Sequence, residues 1–420
     1  MARIGIAGAG IGGLAVAAGL AQAGHAVTIH DQFEAPGPVG SGLVIQPVGQ
    51  AVLDALGAGG TARAQGRRIT RMSGHEASSG RIVLDVTYDP DGQGREGLAI
   101  HRAALHTALL KAAQAAGVRF ELDAPVTGRD GQRLCLRGRS TDPFDLLIDA
   151  AGAASPLSPL KARALPYGAI WGNVPWPAET PLPTDELRQC YRRADRMIGV
   201  LPIGQREPGG PDLAAVFWSL PRGACAAWHA TPLDVWKAEA RKLWPDIGPF
   251  LAGIEGHADM TMARYSHGTL ANPDADGLIH IGDAWHRASP QLGQGANMAL
   301  LDAWALIRAM ADGPIHEAGR RMRNARRLHV AAYQAMSRAF TPQYQSDSRV
   351  LPMIRDHVLV PVSRAWPARR ILPALVRGNM VPPILAGLKG NFTNWSQVGE
   401  AEGDLTPCPY PLPSPSSGPR

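Results

Sequence analysis

The chain opens on a short run of small and β-branched apolar residues, Ala2 to Ala9, with no regular wet face. Such a run predicts a strand buried on both sides in a parallel sheet. An Ala- and Leu-rich segment continues to Ala23 and ends at Gly24, and Ala26 to His30 returns to strand character before Asp31. The start of the chain therefore predicts a βαβ unit. Between His101 and Gly117, Leu105, Leu109, Leu110 and Ala113 recur at helical spacing, and Val118–Leu122 and Phe144–Ala150 read as further strands. From Ile69 to Leu98, and from Tyr167 to about His267, the pattern changes to short apolar runs punctuated by Pro175, Pro202, Gly209, Gly210 and Pro221. These stretches predict a β-rich unit inserted into the first. After Gly268 come one more strand, Leu278–Ile281, a glycine-rich bend, and a helix from about Gln294 to Met310.

The rest of the chain has a different texture. Arg320 to Phe340 alternates basic and apolar residues at helical spacing, which places most of its arginines on a solvated face. Val358 to Leu388 combines apolar residues with Arg364, Arg369, Arg370 and Arg377 and is broken by prolines. Packed helices with charged outer faces are the first reading, and contact with a partner or membrane surface is the second. Pro, Ser and Gly become frequent from Ala401 onward, as in a flexible tail.

Composition narrows the class. A chain of 420 residues that is 45% apolar can fill two or three domains. Cys135, Cys190, Cys225 and Cys408 form no close pair, so neither a structural metal site nor a disulfide framework is expected, and a reducing cytoplasm is the natural compartment. No stretch reaches the roughly 18 apolar residues of a membrane span. The net charge of +6 suits an anionic cofactor or substrate, and no nucleic-acid reading module accompanies it.

Chemistry concentrates at two glycine-rich turns. Gly8, Gly10 and Gly13 follow the first strand with the spacing of a dinucleotide fingerprint: one glycine for the turn, one for the pyrophosphate, one for helix–sheet contact. Asp31, at the end of the second strand, lies where a carboxylate receives ribose hydroxyls. This fingerprint does not separate FAD from NAD. The second turn joins Gly282-Asp283-Ala284-Trp285-His286 to Pro290-Gln291-Leu292-Gly293-Gln294-Gly295-Ala296-Asn297. A carboxylate at a strand end can accept from a sugar-like chain, and a glycine-rich helix entry brings backbone donors against a flat ring.

This second segment resembles the FAD signature of the group A, single-component flavoprotein monooxygenases, the family of para-hydroxybenzoate, salicylate and ubiquinone-pathway hydroxylases. The resemblance implies that Asp283 meets the ribityl chain, Pro290 stands beside the flavin ring, and Gly293, Gly295, Ala296 and Asn297 approach its pyrimidine side. His101-Arg102-Ala103-Ala104-Leu105 resembles the family's His-Arg-x-x-Leu helix start, implying an Arg102 contact to FAD; Gly40 to Leu43, with Gly42, and Pro47 resemble the stretch that passes the ring. The implied fold is α/β: a Rossmann-like FAD-binding domain (1–68, 99–165 and 268–312) interwoven with a β-rich substrate domain (69–98 and 166–267), then a helical C-terminal region (313–400) and the tail (401–420). One motif departs from the family. Asp145 to Ser155 resembles the middle motif, but Ala151 stands at its key Asp and Ser158 replaces its basic residue.

The resemblance implies that NAD(P)H reduces FAD and that O2, through a flavin hydroperoxide, delivers one oxygen to an aromatic, phenolic or enolic small molecule. Ala151 and Ser158 bear on the NAD(P)H step and leave a separate reductase open; a homodimer is also open. A dehydrogenase, reductase or halogenase-like enzyme is the alternative, with a non-enzymatic FAD-binding protein behind it. Trp171, Trp176, Tyr191, Phe217 and Trp218 are candidates for the substrate wall, because aromatic faces bury flat molecules well. Arg188, Arg192 and Arg196 have the spacing of a solvated helix face and could alternatively meet an acidic substituent. Tyr191, His267 and His286 are the candidates for proton transfer, and His286 reads first as a structural histidine.

Overall fold

The computed structural model describes residues 1–34, 41–365 and 368–385. Gly40 and the region beyond residue 385, including the expected tail, lie outside the described residues. The strand Arg3–Ala7 is buried from Ile4 onward, the helix Ile11–Gln22 follows it, and the strand Ala26–His30 pairs parallel to the first. Gly24, with φ of 85°, takes the left-handed conformation that ends the helix. Six strands form this sheet, in the spatial order Asp274–Ala275, Leu278–His280, Leu146–Asp149, Arg3–Ala7, Ala26–His30 and Arg119–Glu121. The second strand lies on one side of the first and Leu146–Asp149 on the other, so the direction of winding reverses at the first strand. Crevices at the carboxyl ends of such a reversal are where open α/β sheets bind ligands.

The second large sheet has eight strands, running from His286–Arg287 and Thr261–Thr269 at one edge through Arg163–Pro175, Asp212–Pro221, Arg196–Gln205, Glu186–Arg192 and Arg71–Glu76 to Ile82–Thr87. Seven of its eight strands come wholly or mainly from the two stretches whose punctuated pattern predicts β structure, and the short edge strand His286–Arg287 comes from the second signature. Alternation along Asp212–Pro221 divides its faces. Ala215 and Phe217 join a core with Tyr191, Leu201 and Ile203, whereas Val216, Trp218 and Leu220 join one with Trp228, Trp236, Trp244 and Phe250. That second core is closed by the helices Cys225–Ala230, Leu233–Leu243 and Gly248–Ala252, which the turn-rich reading of 166–267 does not anticipate. A three-stranded sheet of Val126–Asp130, Arg133–Leu136 and Arg139–Ser140 is likewise new.

The three arginines expected on a helix face are corrected. Arg188 and Arg192 lie on one strand and Arg196 on the next, where Arg192 and Arg196 are cross-strand partners. A spacing of four residues returns to one face in both a helix and a strand, so spacing alone does not decide between them. The basic-apolar segment, by contrast, forms one long helix, Ala318–Tyr344.

Candidate FAD site and adjoining cavity

Three strand ends meet at the reversal point. The Ala150 amide donates to the Ala7 carbonyl at 2.9 Å and the Ile281 amide to the Asp149 carbonyl at 3.0 Å, which brings the first fingerprint, the middle motif and the second signature side by side. The fingerprint glycines differ in what surrounds them. Gly8 has φ of 99°, and a Cβ there would lie 2.7 Å from the Ala150 oxygen; a Cβ on Gly13 would lie 2.0 Å from the Gly8 oxygen. These two allow the strand, helix and neighbouring motif to close on one another. A Cβ on Gly10 would meet nothing within 4 Å. That open cradle faces the start of Ile11–Gln22, a helix with no side-chain cap and no acid in its first turn. Free backbone N–H groups at such a start attract phosphate.

Asp31 accepts from the Ala9 amide at 2.6 Å and from the Phe33 amide at 3.0 Å, so its carboxylate is fixed beside the cradle. His106 steadies the same turn through Nε2, which donates to the Ala9 carbonyl at 2.9 Å. The His101 side chain caps the helix Arg102–Ala115. The exposed Arg102 guanidinium makes no hydrogen bond or ion pair among the described residues.

In the second signature the Asp283 carboxylate is open to solvent and has no hydrogen-bond partner among the described residues, yet it sits deep among protein atoms. Burial raises its carboxyl above the ordinary range, against the pull of His286, Arg102 and Arg287. Gly293, with φ of 61°, turns the chain into the helix Gly295–Ala311, which has no side-chain cap, and a Cβ on Gly295 meets nothing within 4 Å. Two uncapped helix starts, two open glycine positions, an unpaired guanidinium and two strand-end carboxylates fit the phosphates, sugar hydroxyls and ring edge of FAD. The Asn297 side chain is engaged within the protein. Its Oδ1 accepts from the Gln46 amide at 2.8 Å and its Nδ2 donates to the Val44 and Gly293 carbonyls, so it ties the signature to the strand Gly42–Ile45. Gly42 packs under Ile203, where a Cβ would lie 2.1 Å from the Ile203 side chain.

A buried ionic network underlies this signature. Asp302, fully buried, accepts from the Gly282 amide at 3.0 Å, from His286 Nε2 at 2.7 Å and from Arg326 Nε at 2.9 Å. Burial acts to raise the Asp302 carboxyl, but His286 and Arg326 outweigh it and hold it below the ordinary range. Arg326, 0% exposed, also bonds the Pro383 carbonyl and His329 Nδ1. His329 Nε2 in turn donates to the Gly378 carbonyl at 2.9 Å. His286 is thus a buried partner of Asp302. His267 is similarly engaged: its Nε2 accepts from the Ser289 amide at 2.9 Å and lies 3.0 Å from Ser337 Oγ, fixing the approach to Pro290.

The altered middle motif is held by its own residues. Asp149, fully buried, accepts from the Ala151 amide and Ser155 Oγ and lies 2.7 Å from His280 Nδ1. Ser158 Oγ donates to the Ala284 carbonyl at 2.6 Å, fastening the motif to the second signature. The residues at the departure points have local structural work that the sequence gives no means to foresee.

Beside Pro290, at Gln291 and Leu292, begins a cavity of about 980 Å³ with its mouth included. Its walls come from the large sheet (Met72, Val83, Val86, Gln189, Tyr191), from the end of the long helix (Phe340, Gln343, Tyr344) and from C-terminal residues including Arg355, Leu359, Leu372 and Leu375. The wall is mostly apolar, as in sites that bind small molecules. Of the expected wall residues, Tyr191 lines it. Burial pushes the Tyr191 hydroxyl far above its ordinary range, and it donates to Gln189 Oε1. Phe217 and Trp171 stack with ring centres 4.5 Å apart in and against the core on that side of the sheet. Trp176 and Trp218 belong to the opposite core, against Phe250 and Trp236, which corrects their place in the wall. Sequence reasoning also missed Arg355, 1% exposed, whose guanidinium lies 5.3 Å from the Tyr191 ring and 5.0 Å from the Tyr344 ring. No local motif marks an arginine so far from the sheet it meets.

The fold, the site and the similar proteins together define a class: an FAD-dependent oxidoreductase of the monooxygenase kind. No profile of a known protein family matches the chain. It is similar to an FAD-dependent urate hydroxylase of Klebsiella pneumoniae, with 26% identity over 322 residues, covering 72% of this chain and 79% of that protein. It is also similar to a 6-hydroxynicotinate 3-monooxygenase of Bordetella bronchiseptica, with 26% identity over 335 residues, covering 73% of this chain and 82% of that one. Among solved structures, Klebsiella pneumoniae HpxO complexed with FAD and uric acid superposes with a TM-score of 0.74 at 20% identity, covering 90% of this chain and 97% of the other. A 2-methyl-3-hydroxypyridine-5-carboxylic acid oxygenase gives 0.72 at 20% identity, over 89% and 97%.

Proposed function

We propose that this enzyme hydroxylates a flat, electron-rich aromatic molecule held in the cavity beside Gln291 and Leu292, with FAD seated along the crevice from Gly10 to Gly295. The observation that carries this reading is the continuity of the two: the second signature runs directly into the cavity wall. The turn Gly8 to Gly13 and Arg102 hold the phosphates, Asp31 the adenosine ribose, Asp283 the ribityl chain, and the Gly295 helix start the ring edge. Bound there, FAD supplies the redox chemistry that activates dioxygen. The protein positions the substrate and keeps water from it. Tyr191, Met72, Val86 and Leu375 give apolar and aromatic faces, and Gln189 a polar edge. Tyr191 stays protonated at neutral pH because burial penalises its anion, so it orients the substrate through its ring and leaves Gln189 in place.

NADH or NADPH is the electron donor in this reading. A separate reductase is the second reading, favoured by the middle motif, where Ala151 and Ser158 present neither carboxylate nor cation. The three described cysteines are all free, in keeping with work in the cytoplasm. Anaerobic rapid mixing of FAD-loaded protein with NADH and with NADPH, each with and without a panel of hydroxylated aromatics and N-heteroaromatics, tests the donor. Reduction accelerated by one aromatic class is the expected result; failure of both nucleotides under all conditions sinks direct reduction and passes the step to a reductase.

A further inference from the structure

The cavity wall holds a buried cation. Arg355 is the only base among the described lining residues, and Asp85 is the only acid. Asp85 is neutralised by Arg71, which does not line the cavity and donates from Nε at 2.7 Å. The Arg355 guanidinium is held on several sides. Its Nε donates to Asp356 at 2.6 Å, and its Nη1 to the Arg193 and Gln343 carbonyls at 3.1 and 2.9 Å. The Tyr191 and Tyr344 rings, both in the cavity wall, flank it within cation–π range. Its Nη2, however, is buried and has no hydrogen-bond partner among the described residues. An unpaired buried donor is costly, so an orphan on an otherwise fully engaged arginine calls for a partner from outside the chain. The backbone gives a second sign. Arg355 begins a π-helical turn, Arg355–Leu359, set between the helical segments Val350–Ile354 and Val360–Arg364. Such turns within α-helices recur at functional sites, and both ends of this one line the cavity. Leu292 lines this cavity and also a smaller one beside Asp283 and Gly295, so the space that Arg355 borders adjoins the second signature.

We propose that Arg355 determines substrate specificity, and that the substrate is a flat aromatic ring bearing a carboxylate that accepts from Nη2. The proposal rests on the cavity being the substrate site. A guanidinium keeps its charge at every accessible pH and matches the geometry of a carboxylate. Asp356 offsets that charge at Nε, but it does not line the cavity, and its side chain is 12% exposed against 1% for Arg355. Solvent therefore screens the acid more than the arginine, and the field on the cavity side is positive. Because the guanidinium is already fixed, a ligand that binds it spends little on ordering it. A carboxamide of the same shape offers a neutral acceptor instead, and a charge-assisted hydrogen bond is about twice as strong as a neutral one.

The test uses full-length, FAD-loaded protein and matched probes: the three hydroxybenzoates, the three pyridinecarboxylates and the carboxamide of each. Equilibrium dialysis reads affinity, and the visible absorption spectrum of the flavin reads proximity to it. At least one acid should bind about tenfold or more tighter than its amide and perturb the flavin spectrum. Arg355→Lys, which keeps the charge and loses the planar fork, should weaken that acid by about ten- to a hundredfold and its amide by less than about twofold. Acids that bind no better than their amides, or that do not bind, overturn the proposal. So does a flavin-loaded Arg355→Lys variant that binds the acid like the parent, or one that weakens acid and amide alike. If the variant loses its flavin, the contrast between acid and amide in the parent decides. Acids that depend on Arg355 but leave the parent's flavin spectrum untouched overturn the substrate role through the reading of the cavity, whereas acids and amides that bind equally and both perturb the spectrum overturn it through Arg355 alone.

Discussion

Gly10 and Gly13 carry the same side chain, or lack of one, for unlike reasons. At Gly13 a Cβ would fall 2.0 Å from the Gly8 carbonyl oxygen, so Gly13→Ala forces backbone apart and should cost about 1–3 kcal/mol of stability in a denaturant titration. At Gly10 a side chain meets only open space in the protein, and the backbone there is extended, with φ of −76°. Gly10→Val should therefore leave the unfolding midpoint nearly unchanged while the purified protein loses its FAD, measured as flavin released per chain. A variant that keeps its flavin would remove Gly10 from the phosphate cradle. The turn itself, and the place of Asp31 beside it, were legible because a nucleotide turn needs small residues at fixed spacing near a strand end. The parts of Trp176, Trp218 and Arg355 were not. Which face of a strand an aromatic residue occupies depends on register, and one step along Asp212–Pro221 separates Phe217 from Trp218 and one core from the other.

The long helix Ala318–Tyr344 shows what periodicity gives and withholds. Its pattern predicts the helix and a solvated arginine face, and Arg320 and Arg327 are indeed exposed. Arg326, however, is fully buried against Asp302, because its partner comes from the helix Gly295–Ala311 packed against it, which the pattern of its own helix does not show. His329 completes the chain as a neutral ring: burial first, then the neighbouring Arg326 charge, lower it from 6.5 to about 3. The folded protein thus excludes a proton that the unfolded chain takes up below its ordinary value. Stability should fall as the pH drops from about 6.5 toward 3, and Asp302, held below the ordinary carboxyl range, acts in the same direction as its lower folded value is approached. The share of His329 at about pH 5 is roughly 2 kcal/mol. In His329→Gln, which can still donate to the Gly378 carbonyl and accept from Arg326, urea midpoints should decline less between about pH 7 and pH 5. An unchanged decline would mean that His329 titrates normally in the folded state.

At the scale of the molecule, the nucleotide sheet supplies a crevice and the large sheet supplies a wall, and the C-terminal helices close the space between wall and solvent. The first two were readable in the chain as a βαβ start and as two punctuated β-rich stretches that rejoin it. The cavity was not, since its lining is drawn from Met72, Tyr191, Leu292, Tyr344 and Leu375, which only the complete fold assembles. The same assembly joins the second signature to the cavity wall through Gln291 and Leu292, and to the C-terminal segment through Asp302, Arg326, His329 and Gly378. The most direct measurement of whether this arrangement performs aromatic hydroxylation is turnover under dioxygen carrying the heavy oxygen isotope, with FAD-loaded protein, an electron donor and the aromatic that best accelerates reduction. One heavy oxygen atom in each product molecule is the predicted result. An oxidised product whose new oxygen comes from water, or consumption of dioxygen with no oxygenated product, would contradict it.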